Sequence, residues 1–104
     1  GLVATTTDLV NFALGVMHGT VLSDSARAEM WRRQTPEGEP SYGLGWRVDE
    51  IDGHRMVAHS GGSVGATAML VLVPDRGVAV AVLGNTDGVS HSTIARSVAR
   101  LFLD

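Results

Sequence analysis

Cysteine is absent from the 104 residues, which removes both a disulfide framework and a thiolate metal site. The same absence suits any redox compartment, so it does not locate the protein. Lysine is missing too: the eight basic residues are all arginines, set against eleven acidic ones for a formal net charge of −3. Those arginines do not cluster beyond Arg32-Arg33, so no nucleic-acid partner is expected. No apolar run approaches the ~20 residues that span a bilayer. "GLVATTTDL" at the N-terminus has neither a positively charged start nor a cleavage-site pattern, and does not read as a signal peptide. His18, His54, His59 and His91 show no i, i+4 pairing and no carboxylate at ligand spacing, so no metal is expected. Internal repeats and low-complexity tracts are also lacking. The hydrophobic content of 44 % nevertheless excludes a disordered chain.

The residues present spell a helical opening followed by strands. Thr5-Thr6-Thr7-Asp8 offers an N-cap hydroxyl with a carboxylate three residues on, a variant of the capping box. Leu9, Phe12, Ala13, Val16 and Met17 then follow the spacing of one helical face, and Gly19 closes the helix, giving bounds of about 6–18. Ser23 caps a second helix, about 23–34, with Ala26 and Met30 inward and Trp31 partly packed. "TPEGEPS" (35–41) is a loop. The sheet spans about 42–84: "YGLGWRV" (42–48), "HRMVAHS" (54–60), "ATAMLVLV" (66–73) and "VAVAVLG" (78–84). A last helix, about 90–103, sets Ile94, Ala95, Val98, Leu101 and Phe102 on one side. The order α-α-β-β-β-β-α with short connections predicts an α/β chain of the α+β kind, with an antiparallel meander of about four strands.

"MLVLV" and "VAVAVL" do not alternate apolar with polar, so both faces of those strands are expected to be covered. Three helices cover one face and part of the other. The remainder requires either self-association or a larger fold of which this chain is one portion.

"HSGG" (59–62) sits just ahead of those strands. Adjacent strand residues face opposite ways, so His59 and Ser60 cannot form a nucleophile–base pair with each other. Gly61 and Gly62 leave backbone bare, either as a bulge or turn beside an incidental histidine, or as N–H groups aimed at a substrate oxyanion. "GGSVG" precedes a strand rather than a helix, which argues against a phosphate-binding loop.

Taken together, "YGLGW", "HSGG", and "PDRG" followed by an apolar strand ending at Asn85 resemble the C-terminal part of the serine β-lactamase and penicillin-binding-protein superfamily. The nearest likeness is to its class C β-lactamase, D-aminopeptidase and family VIII esterase branch, and it covers essentially the whole chain. The resemblance implies a β-lactamase-like transpeptidase fold and a cofactor-free hydrolase that acts on a small-molecule amide, ester or β-lactam through an acyl-enzyme. His59 and Ser60 would stand where the family places Lys and Thr of its third motif, often His-x-Gly in this branch. Gly61 would keep the strand open, the N–H of Gly62 would serve as an oxyanion donor, and Asn85 would lie near the substrate carboxylate. The sequence departs from the family in two motifs: it has no Ser-x-x-Lys, and its only tyrosine, Tyr42, is followed by Gly-Leu rather than by x-Asn. Tyr42 and Trp46 therefore read as packing residues. The chain is expected to be inactive alone, its partner being the missing N-terminal portion of the fold or a second copy.

Overall fold

The computed structural model describes residues 2–103. Helix α1 (Thr6–Met17) starts where the capping box predicts: the Thr5 hydroxyl accepts from the Asp8 N–H at 3.1 Å, and the Thr5 N–H donates to Asp8 Oδ2 at 2.9 Å. These bonds, that N–H foremost, hold the Asp8 carboxyl below its ordinary pKa. The helix buries Ala13, Val16 and Met17, whereas Phe12, expected inside, is 49 % exposed. Helix α2 (Asp24–Met30) has its N-cap at Ser23, but it ends four residues before the predicted 34 and leaves Ala26 exposed. The Met30 carbonyl is needed elsewhere, as acceptor for the Leu44 N–H at 2.8 Å. Trp31, at the cap, turns into the core and is only 4 % exposed.

Four strands form one antiparallel sheet in sequence order: β1 (Arg47–Ile51), β2 (His54–Ser63), β3 (Ala66–Val73) and β4 (Val78–Gly84). β3 and β4 match the predicted spans residue for residue. β2 runs three residues past the predicted end, so "HSGG" lies within a strand and not at its terminus. β1 corrects the prediction in the other direction. Residues 44–46 bend, and before Arg47 only Tyr42 makes a strand-like bridge, to Arg47 itself. Two glycines impose this turn. Gly45 adopts φ 76°, and a side chain on Gly43 would collide with the Met30 carbonyl. The β1–β2 turn is Asp52-Gly53, both at positive φ (49° and 81°), the pattern of a tight type I′ hairpin.

The expected cover of one face and part of the other is corrected only in where the uncovered remainder lies. On one face, α3 (His91–Arg100) packs Ala95 and Ala99, with Leu103 beyond its end, onto Met56, Ala58, Met69, Val71, Val73 and Val80. On the other, Ala13, Val16, Met17, Trp31 and Trp46 pack onto Val57 and Leu72. Both faces are therefore covered, but only over the half of the sheet nearest the β1–β2 turn. The inner side of α3 is narrower than predicted, because Ile94, Leu101 and Phe102 are 43 %, 77 % and 63 % exposed.

Candidate active site

Alternation along β2 distributes the motif. Val57 packs with α1 and Met56 and Ala58 with α3, so His59 and Gly61 face the α1 side while Ser60 and Gly62 face the α3 side. His59 through Ser63 are all exposed, directly after three buried residues.

Strand pairing explains what these residues present. β1 pairs with β2 only as far as Arg47↔Ala58, while β3 pairs with β2 through Ser63↔Ala66. From His59 to Ser63 the side of β2 away from β3 is thus an open edge. The two-residue hairpin makes Ile51↔His54 a hydrogen-bonded pair, and pairing alternates from there. His54, Met56 and Ala58 turn their backbone groups to β1, and the next in that series, Ser60 and Gly62, turn theirs to the open edge. One outward group already has a partner: Ser60 O lies 2.7 Å from His59 Nδ1. The Gly62 N–H points the same way, and a Cβ at Gly62 would meet nothing closer than Ala66 O at 3.9 Å.

Tyr42, read from the sequence as a packing residue, stands beside His59. The two rings meet edge-on with centroids 6.3 Å apart and an interplanar angle of 70°. The Tyr42 backbone is fixed from both sides. Its N–H donates to Thr35 Oγ1 at 3.2 Å, and its carbonyl accepts from the Gln34 N–H at 2.8 Å. The signal for this role was in "YGLGW", whose glycines fold the segment back rather than extend it.

Asn85 does not join His59. It follows β4, exposed, at the end of the row Gly62–Thr67–Gly84, which puts it about two strand spacings (~10 Å) from Gly62. Its loop is tied to the tip of the β2–β3 hairpin by the Gly65 N–H, which donates to Asp87 Oδ1 at 2.9 Å. Across the ends of β2, β3 and β4 lies a shallow, largely apolar groove of about 380 Å³ over Gly61, Ala66, Ala68 and Leu83. A second groove of about 380 Å³ runs along the outer edge of β4, between Val10 and Asn11 of α1 and Val98 of α3. Among the described residues, no three His, Asp or Glu side chains converge as a metal site needs, and no helix is long and apolar enough to cross a membrane.

Known proteins share this fold. The octameric penicillin-binding protein homologue from Pyrococcus abyssi superposes with a TM-score of 0.86 at 24 % identity, over 96 % of this chain and 24 % of its own. The D-stereospecific amidohydrolase from a Streptomyces species gives 0.75 at 27 % identity, over 92 % of this chain and 29 % of its own. D-amino acid amidase from Ochrobactrum anthropi SV3 gives 0.69 at 21 % identity, over 94 % and 35 %. The chain thus spans about a quarter to a third of the length of these solved structures. A search among curated proteins finds no match. Residues 1–102 match the Beta-lactamase family, and the chain belongs to it.

Proposed function

We propose that residues 1–104 are the C-terminal portion of a β-lactamase-related serine hydrolase, in the branch that includes D-aminopeptidases, class C β-lactamases and family VIII esterases. They supply one wall of its active site, and polypeptide outside these residues supplies the nucleophile. The observation that carries this reading is the open edge of β2 at His59–Gly62, in a family member that contains no lysine and therefore no Ser-x-x-Lys.

In the complete enzyme a serine hydroxyl attacks the carbonyl of an amide, ester or β-lactam and gives its proton to a neighbouring base. The carbonyl oxygen becomes an oxyanion, which the Gly62 N–H stabilises together with the nucleophile's own N–H. Collapse breaks the C–N or C–O bond and protonates the amine or alcohol, which leaves from an amide or ester and stays tethered in an opened β-lactam; water then hydrolyses the resulting acyl-enzyme by the reverse proton path. His59 borders the substrate and assists proton transfer or holds its charge. Ser60 contributes from the opposite face, through its outward backbone. Asn85, at the far side of the sheet end, reaches only a distal part of the substrate. None of these roles requires a metal or an organic cofactor.

The test compares residues 1–104 alone with the same residues joined to, or mixed with, polypeptide carrying Ser-x-x-Lys. Alone they should hydrolyse neither a chromogenic cephalosporin nor a p-nitrophenyl ester, and completed they should hydrolyse at least one. Turnover by residues 1–104 alone that disappears in His59→Ala overturns the reading. The groove along the unpaired edge of β4 favours a second one, a binding module that self-associates through that edge. Light scattering separates the two: a clean monomer removes the second.

A further inference from the structure

His59 makes two contacts, and the first of them bears on which ring nitrogen carries the proton. Its Nδ1 lies 2.7 Å from the Ser60 carbonyl oxygen. A carbonyl only accepts, so the neutral ring must be protonated at Nδ1; the other tautomer would set two lone pairs against each other at that distance. Nε2 is then the free, basic nitrogen. A single hydrogen bond to an exposed carbonyl does not stop the ring from rotating into water. The Tyr42 ring, edge-on with its centroid 6.3 Å from that of His59, stands against one side of the imidazole. Tyr42 is placed there by the turn Ser41–Val48, whose ends are joined by the Val48 N–H donating to Ser41 O at 3.1 Å and whose tip is tied to Met30 by the Leu44 N–H donating to Met30 O at 2.8 Å.

We propose that Tyr42 is a positioning residue which, with the Ser60 carbonyl, locks His59 as the Nδ1–H tautomer and leaves Nε2 as the acceptor offered to the site. The tautomer follows from geometry alone; its use in proton transfer rests on the hydrolase reading.

Histidine-selective 15N labelling of the full chain, with ring-nitrogen spectra at about pH 8.5, above the ordinary imidazole range, reads the tautomer directly. His59→Ala identifies the signals by their loss. The wild-type spectrum should show a protonated Nδ1 and a bare Nε2 at His59. Tyr42→Phe keeps the ring and should keep that pattern, whereas Tyr42→Leu should pull the two nitrogens toward a common averaged shift. His54, paired with Asp75 far from Tyr42, reports in the same spectrum whether the fold is intact. A wild-type Nε2–H tautomer overturns the proposal without any variant. So does a Tyr42→Leu spectrum identical to wild type, or loss of the pattern in Tyr42→Phe. None of these readings requires turnover, so an absence of hydrolysis by the completed enzyme leaves them standing and overturns only the hydrolase reading.

Discussion

The two halves of β2 differ more than the ten residues between His54 and Ser63 suggest. Met56, Val57 and Ala58 are at most 2 % exposed, flanked by β1 and β3 and roofed by helices on both faces. His59 to Ser63, in the same strand and paired with the same neighbour, are exposed and have lost β1. Backbone direction continues unchanged across the boundary, so the buried half sets where every group of the open half points. A site built this way inherits its geometry from a core it does not have to contain.

The sharpest way to break that comparison is to damage the buried half. Leu72 lies opposite Val57, is fully buried, and packs among residues from α1 and the two tryptophans. Leu72→Ala should destabilise by about 2–5 kcal/mol, read as a lower denaturant midpoint. The open half should lose its order along with the core. Gly43→Ala acts on the boundary itself. Its new methyl meets the Met30 carbonyl, which is backbone and cannot swing aside. A loss of about 1–3 kcal/mol is expected from such overpacking, with the Tyr42 ring displaced from His59. Tyr42 fluorescence and the His59 ring-proton shifts would show that displacement.

A smaller effect sharpens the picture at the closed end. His54, the first residue of β2, places Nδ1 2.8 Å from Asp75 Oδ2, on the short 3-10 turn (Pro74–Arg76) after β3. That hydrogen bond, ahead of the opposing cost of burial, lowers the Asp75 carboxyl below its ordinary 3.8. A carboxyl depressed in the folded state adds stability above its unfolded pKa and loses it as the pH falls through the folded value. Asp75→Asn should therefore melt below wild type at neutral pH, and the two melting temperatures should converge below about pH 4. A constant gap across that range would show that the pair contributes nothing through ionisation.

Sequence reading succeeded where structure is decided locally. The Thr5 cap depends on residues three apart, and the ends of β3 and β4 are marked by Gly65, Pro74 and Gly84 around apolar runs. It failed at "YGLGW", because that turn depends on a hydrogen bond accepted by the Met30 carbonyl and one donated by the Gln34 N–H, which no window of periodicity contains. The opposite facing of His59 and Ser60 was legible from strand alternation. The open edge beside them was not, since it exists only because β1 begins at Arg47. Phe12 and Leu101 sit at apolar spacing yet stay exposed, which shows that periodicity marks a stripe wider than the contact the fold makes.

The smallest expected effect is the most informative. His59→Ala and Ser60→Ala remove side chains that face solvent at the open edge and contribute nothing to either core cluster. Each should change folding stability by less than about 0.5 kcal/mol, as surface substitutions do. Val57→Ala, two residues earlier on the same face as His59, should cost several times more through the cavity it leaves, and it serves as the paired measurement. If His59→Ala proves as costly as Val57→Ala, the open half is itself part of the core, and the division of β2 into a scaffold and a presented edge fails. If it is silent in stability while the completed enzyme loses turnover, the strand has kept an exposed histidine for chemistry that the fold of this chain does not need.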